Sequence, residues 1–220
     1  LLLRVYQNQD VHLSDLMPVL TSFGIKVIDS YATSVQARGG SMHVDTFRLS
    51  GADRVERAIL LTRAPLLTES IAQIFDGRLT GDPLNGLVLV GGLAWTEVDI
   101  VRAYVRYSRQ LGNKISFARM FEILLAHPIC IGALVRLFHA RFDPDLVSDR
   151  AAAMRQALVT VTDELRFIQA HDEDLLLTMI RDLICTTVRT NYYRTDRRGS
   201  YLSFKMDGTK APGMGKNRPM

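Results

Sequence analysis

The residues that could carry acid–base, metal or nucleotide chemistry are scattered along this sequence. Its histidines are His12, His43, His127, His139 and His171. They show neither the His-Glu-x-x-His nor the Cys-x-x-Cys spacing that builds zinc sites. The glycine-rich patterns that hold dinucleotide or nucleotide phosphates after a strand do not occur. We therefore predict no catalytic, cofactor-binding or metal-binding residue in this chain.

Clusters of charged residues have a structural explanation. Carboxylates adjoin at Asp163-Glu164 and at Asp172-Glu173-Asp174, but a general acid and base must converge across a cleft, and neighbours on one helix point apart. Acidic residues favour the first helical turn because the helix dipole is positive there, so the second group predicts a helix start. On another predicted helix, Arg136, His139 and Arg141 are expected to form a solvated basic face.

Aromatic and basic residues interleave near the end of the sequence. The aromatic ones are Tyr192, Tyr193, Tyr201 and Phe204, and the basic ones are Arg194, Arg197, Arg198 and Lys205. Residues 194–220 hold seven Lys or Arg against two Asp, so their net charge exceeds the +4 of the whole chain. This mixture is typical of a surface that stacks single-stranded nucleic acid, and equally of a helix-to-strand junction that docks on another domain.

The overall composition indicates a globular protein. The 220 residues are 47% hydrophobic and 23% charged, which excludes a disordered chain. No apolar run approaches the roughly 18 residues that a membrane-spanning helix requires. The two cysteines, Cys130 and Cys185, fall in apolar helical stretches and predict buried free thiols in a reducing compartment.

The first half of the sequence alternates strand and helix patterns. Period-two alternation and β-branched residues predict strands, and apolar residues three and four apart predict helices. The predicted order is strand 1–7, a helix from 13 to a stop at Gly24, strand 25–31, strand 42–49 and a helix that opens at 50–53. This β-α-β-β-α order is most of a ferredoxin-like unit.

The strand that would complete this unit is not defined by the sequence. Residues 87–90 have the composition of a strand. However, Asp82-Pro83 is a typical helix start and Gly91-Gly92 a typical helix stop. Residues 84–90 therefore stay open between a strand and a short helix.

Residues after Gly92 predict five amphipathic helices with short joints, the pattern of an α-helical bundle. Thr96 and Ser116 are predicted N-caps, and Gly112 is a predicted helix end. His127-Pro128 should break the helical run, because proline disfavours the helical conformation of the preceding residue.

The turn after the first strand is the candidate site for a small polar ligand. In a β-α-β-β-α unit this turn presents free backbone N–H groups to a carboxylate. We predict an amino-acid effector site formed by Asp10, Ser14 and Gly24. The alternative is a turn that binds nothing.

The C-terminal run is the most specific motif in the sequence. Arg189-Thr190-Asn191-Tyr192-Tyr193 predicts a helix end, followed by a basic turn, a strand at Ser200–Lys205 and a stretch that ends in Arg218-Pro219-Met220. This run resembles the segment leading into the catalytic domain of the large bacterial NAD-specific glutamate dehydrogenases. Residues 85–107 and 137–144 resemble that family's helical region. The first fifty residues resemble its last ACT-like regulatory unit, through Leu13 and residues 24–29.

The resemblance implies what the parent protein does. It implies oxidative deamination of glutamate to 2-oxoglutarate and ammonia, with NAD as hydride acceptor, in a cytoplasmic homo-oligomer. It also implies that the family's catalytic and dinucleotide-binding residues follow Met220, so this fragment alone would bind no cofactor and would be inactive. Ser200–Lys205 would be the first strand of the catalytic sheet, without its partners.

We therefore expect an α+β chain in three parts: an ACT-like regulatory unit (1–80), a helical bundle (81–193) and a lead-in to the catalytic domain (194–220). The segment would be regulatory or structural, with its own catalytic domain and other subunits as partners and neither nucleic acid nor membrane. Two alternatives are a stand-alone amino-acid sensor of the ACT type and a single-stranded nucleic-acid-binding module.

Overall fold

The computed structural model describes residues 1–8, 11–37, 40–146, 149–194 and 201–212. Contacts within the chain divide it into two units, Leu1–Trp95 and Thr96–Met220. We call them the sheet unit and the helical unit.

Among its described residues, the sheet unit contains a three-stranded antiparallel sheet, three helices that follow its strands and a shorter helical segment at 83–90. The strands are β1 Leu2–Gln7, β2 Ile25–Ala37 and β3 Gly40–Ala52, and the helices are α1 Leu13–Ser22, α2 Arg57–Thr62 and α3 Ala64–Phe75. The sheet order is β1-β3-β2. The predicted β-α-β-β-α order is confirmed.

The core of the sheet unit lies between one face of the sheet and the helices. Phe47 and Leu49 on β3 are buried, as are Leu16 and Leu20 on α1. Gly24 follows α1 with a φ of +74°, the left-handed conformation that glycine adopts most readily at a helix end. The predicted stop of α1 is therefore correct.

The helix predicted to open at 50–53 begins later. Residues 50–52 continue β3, and the amide of Asp53 donates to the carbonyl oxygen of Gly24 at 2.8 Å. This bond holds the end of β3 beside the start of β2. Arg54 then has a φ of +61°, which lies outside the right-handed helical region, and α2 begins only at Arg57. A contact between distant residues overrides the local helix signal here.

Residues 83–90 are helical. A 3₁₀ turn, Pro83–Asn85, leads into α4, Gly86–Val90. The carboxylate of Asp82 caps the turn by accepting from the amide of Leu84 at 3.1 Å. Leu84, Leu87, Val88 and Leu89 are all fully buried, and burial on every side removes the periodicity that separates a helix from a buried strand.

The helical unit contains the five predicted helices. They are α5 Trp95–Gln110, α6 Phe117–Ala126, α7 Pro128–Phe142, α8 Arg150–Leu165 and α9 His171–Thr186. Ser116 caps α6 as predicted, accepting from the amide of Arg119 at 3.3 Å. Thr96 is not the N-cap of α5, which begins one residue earlier. The Thr96 hydroxyl accepts a hydrogen bond from the Tyr192 hydroxyl at 3.1 Å.

In the described part of the chain, two short strands follow α9. β4 Thr187–Thr190 and β5 Phe204–Met206 pair antiparallel. The prediction that Arg189–Tyr193 ends a helix is therefore wrong, as is the prediction that the final strand has no partner in this chain. Ser200 lies outside the described residues.

Within the described ranges, no single helix has the length and apolar character needed to cross a membrane. Helices α6 and α7 would qualify only as a pair, by length and composition, and they are bent by 93° at their break.

Candidate functional site

The predicted effector residues do not come together in the described structure. Ser14 is exposed in the first turn of α1, and Gly24 lies beyond its other end. An α-helix rises 1.5 Å per residue, so about 15 Å of helix separates the two. Asp10 lies outside the described residues. The effector role of the three residues stays a prediction.

A buried tyrosine connects α5 to both final strands. Tyr104 is completely buried, and its hydroxyl lies 2.8 Å from Oγ1 of Thr187 on β4. The Thr187 hydroxyl also lies 2.8 Å from the carbonyl oxygen of Leu183. Because its single hydrogen is directed at that carbonyl, Tyr104 is the donor to Thr187.

The ring of Tyr104 packs between α7 and β5. It stacks on Phe204 with ring centroids 4.5 Å apart and planes 15° from parallel. Phe138 on α7 contacts it edge-on at 6.4 Å. Burial raises the pKa of Tyr104, so its hydroxyl stays protonated and continues to donate.

His139 on α7 joins α5 to the turn after β4. Its Nε2 lies 3.0 Å from Oε1 of Glu97, and its Nδ1 contacts the Tyr193 hydroxyl. In the neutral ring, the carboxylate fixes the hydrogen on Nε2, so Nδ1 accepts from Tyr193. Burial, followed by the charge of Asp143, raises the pKa of Tyr193. The expected solvated basic face is therefore wrong at His139.

Arg141 fixes the start of β4. Its Nη2 donates to the carbonyl oxygen of Thr187 at 2.9 Å, and its guanidinium lies 5.4 Å from the centroid of the Phe142 ring. Its buried Nε has no hydrogen-bond partner. A cleft of about 370 Å³, lined in part by Arg141, Cys185 and Lys210, opens beside it. Arg141 is therefore structural and does not belong to a solvated face.

Three of the four aromatic residues of the C-terminal run pack against the helices. Tyr192 contacts the ring of Phe138 edge-on at 5.4 Å and the ring of His139 at 5.8 Å. The ring of Phe204 stacks on the ring of Tyr104, whereas Tyr201 is 65% exposed. Rings engaged in this way favour the docking interpretation over a platform for single-stranded nucleic acid. Arg197 and Arg198 lie outside the described residues.

An ion-pair cluster joins α6 to the start of α9. Arg119 donates to Asp172 at 2.7 Å and to Glu173 at 3.0 Å. Nε2 of His127 lies 2.8 Å from the other carboxylate oxygen of Glu173. The acidic residues begin a helix as predicted, and they also hold that helix against α6.

Acid should weaken this cluster. The hydrogen bonds from Arg119 hold the pKa of Asp172 below its ordinary value. A carboxyl group with a depressed folded-state pKa contributes stability above its unfolded pKa, about 4, and loses it as the pH falls through the folded value. We expect Arg119→Gln to destabilise the chain at pH 7 but not at pH values where Asp172 is protonated in both states. Urea unfolding of both proteins at several pH values tests this, and a difference that does not change with pH would contradict it.

The cysteines and other metal-ligand residues do not form a reactive centre in the described part of the chain. Both thiols are free, Cys130 is buried and Cys185 half-buried, and burial raises the pKa of Cys130 to about 12. No group of three or more His, Cys, Asp or Glu residues is arranged to hold a metal ion there.

Three family models match successive parts of the chain. The glutamate dehydrogenase ACT3 domain matches residues 1–60, and the glutamate dehydrogenase helical motif 3 matches residues 79–144. The catalytic domain of bacterial NAD-glutamate dehydrogenase matches residues 160–220. The chain belongs to the bacterial NAD-specific glutamate dehydrogenases. The order of the three glutamate dehydrogenase matches is the order that the sequence predicts.

Curated relatives agree with the glutamate dehydrogenase assignment. The NAD-specific glutamate dehydrogenase of Halomonas elongata is 31% identical over 97% of this chain, and that of Pseudomonas aeruginosa is 30% identical over 94%. The Mycobacterium tuberculosis enzyme of the same name is 32% identical over 86%. The chain spans only about 13% of the length of the first two.

The contacts described above join residues of the helical-motif match to residues of the catalytic-domain match. Tyr104, Arg119, Phe138 and His139 belong to the helical-motif match, and Asp172, Thr187, Tyr193 and Phe204 to the catalytic-domain match. Sequence reasoning missed this pairing. One available signal was the β-branched run Thr186-Thr187-Val188. Such a run favours a strand, whereas the sequence prediction continued the last helix through these residues.

Proposed function

We propose that this chain is a non-catalytic regulatory and structural segment of an NAD-dependent glutamate dehydrogenase. The whole enzyme would oxidatively deaminate glutamate to 2-oxoglutarate and ammonia with NAD as hydride acceptor, as a cytoplasmic homo-oligomer. The names of its relatives and the order of the three family matches support this proposal. The cofactor and the substrate would bind outside this chain, which alone would be inactive.

The specific role that we propose for the residues of the helical-motif match is to hold the beginning of the catalytic-domain match, from residue 160 onward, in place. The carrying observation is the Tyr104 side chain, which touches Thr187 on β4 and Phe204 on β5 at once. The Glu97–His139–Tyr193 contacts and the Arg119 ion pairs join the same two parts of the chain. Three separate contacts of this kind favour a fixed attachment over a flexible tether.

The division into parts 1–80, 81–193 and 194–220 belongs to this proposal, as does an amino-acid effector at the ACT-like unit. Ser14 is exposed and accessible to a ligand. Gly24 has a structural role as a helix end. An effector that contacts Ser14 would therefore bind without contacting Gly24.

Kinetics of the full-length enzyme test the attachment role. Phe204→Ala removes the ring that stacks on Tyr104, and misplacing a catalytic element by about 1 Å can cost roughly a hundredfold in rate. We expect kcat for NAD reduction by glutamate to fall roughly ten- to a hundredfold. Phe167→Ala is the matched control, since Phe167 belongs to the same catalytic match but is 84% exposed.

The two parts of the proposal fail in different ways. If Phe204→Ala and Phe167→Ala both retain the parental kcat, the segment does not position the catalytic domain. If the parental full-length enzyme does not turn over glutamate with NAD, the proposed activity itself is wrong.

A further inference from the structure

One edge of the sheet in the sheet unit is open. β1 pairs with β3 on one side, and no described strand pairs with its other side. The amide of Leu49 donates to the carbonyl oxygen of Leu1 at 2.9 Å, which makes these two residues a hydrogen-bonded pair. Hydrogen-bonded pairs alternate along an antiparallel ladder, so the backbone groups of Leu2, Arg4 and Tyr6 point to the open side.

The two edges of this sheet differ in character. β2, at the far edge, is rich in polar residues and has register shifts around Val27, features that protect an edge strand from pairing. β1 has an unbroken register, and Arg4 is its single charged residue. Leu2 and Tyr6 are 55% and 60% exposed. β1 lacks the protection of a permanent edge.

A groove runs along this edge. It encloses about 660 Å³ between β1 and α3. Val5 and Ile71 line it from the two elements, and Phe75 projects into it while 43% exposed. A strand added to β1 would close this groove with its own side chains, as in recognition by strand addition.

We propose that the strand added to β1 is β1 of a second copy, antiparallel and centred on Val5. This register places Arg4 opposite Tyr6 of the second copy, and Tyr6 opposite its Arg4, an arrangement that allows cation–π contacts. Centring on Arg4 would set two arginines directly opposite each other, which is destabilising. With Val5 at the centre, the outward backbone groups of Arg4 and Tyr6 form about four new hydrogen bonds.

Sedimentation of the 220-residue chain tests this pairing. We expect a dimer of the 24.7 kDa chain. Tyr6→Lys sets lysine against arginine twice and removes two cation–π contacts, so the dimer Kd should rise roughly ten- to thirtyfold. Tyr31→Lys is the matched control, since Tyr31 is 56% exposed on the same sheet but faces no residue of the second copy in the proposed pairing. The dimer Kd of the Tyr31→Lys variant should not change.

Cross-linking locates the symmetry axis. Val5 faces itself in a non-hydrogen-bonded pair, where Cα atoms lie about 4.5 Å apart, within disulfide range. Val5→Cys should therefore form a disulfide-linked dimer on mild oxidation, and Thr33→Cys on β2 should not.

A monomeric chain, or equal effects of Tyr6→Lys and Tyr31→Lys, would overturn the proposal. Amides of Arg4 and Tyr6 protected from exchange only in the full-length enzyme, without the Val5→Cys link, would assign the edge to another segment of that enzyme and equally overturn it.

Discussion

Tyr104→Ala should lower the free energy of unfolding of the helical unit by about 3–5 kcal/mol, the usual cost of deleting a buried aromatic side chain. The ring is completely buried and contacts Phe138 and Phe204. Alanine would leave a cavity between α5, α7 and β5. Urea unfolding followed by circular dichroism measures the loss.

Tyr104→Phe separates the ring from the hydroxyl. It keeps the stacking and removes one hydrogen bond, while Thr187 keeps its bond to the Leu183 carbonyl. A loss of about 1 kcal/mol is expected. If Tyr104→Phe were as damaging as Tyr104→Ala, the hydroxyl and not the ring would hold the strands, which would contradict the packing interpretation.

Asn85→Asp should destabilise the sheet unit by about 3 kcal/mol or more, because it buries a charge and replaces a hydrogen-bond donor that faces a carbonyl oxygen by an acceptor. Asn85 is completely buried. Its amide nitrogen donates to Oγ of Ser22 at 3.1 Å and to the carbonyl oxygen of Thr80 at 3.0 Å. Aspartate replaces this donor by an oxygen that would face the Thr80 carbonyl.

The pH dependence distinguishes this mechanism from a simple packing defect. Burial would raise the pKa of an aspartate at position 85 above its unfolded value, about 4. The destabilisation should therefore be full at high pH and shrink as the pH falls through the raised value. Asn85→Ala removes the same donor without adding a charge, so its smaller loss should not vary with pH. Unfolding of both variants between pH 4 and pH 8 compares them, and parallel curves would contradict the charge mechanism.

Local signals predicted most of the fold. Ser116, Gly24 and Pro128 mark helix ends because their preferences act within a few residues. The apolar spacing of α5 to α9 predicted five helices because each buries one stripe. These features depend on neighbours in the chain, which the sequence displays directly.

Contacts between distant residues could not be predicted in this way. The helix expected at 50–53 was displaced because Gly51 and Ala52 pair with the start of β2. The strand β4 depends on a partner, β5, more than ten residues further along the chain. The roles of His139 and Arg141 also depend on residues about fifty positions away, so a surface interpretation was the natural one from helix spacing alone.

The passage from α9 to β4 has no connecting residue, since the helix ends at Thr186 and the strand begins at Thr187. One inserted residue would turn every β4 side chain to the opposite face of the strand and take the Thr187 hydroxyl away from Tyr104. Loops elsewhere tolerate changes in length. During evolution this joint should therefore accept substitutions but neither insertions nor deletions, because its length determines which face of β4 the Thr187 side chain occupies.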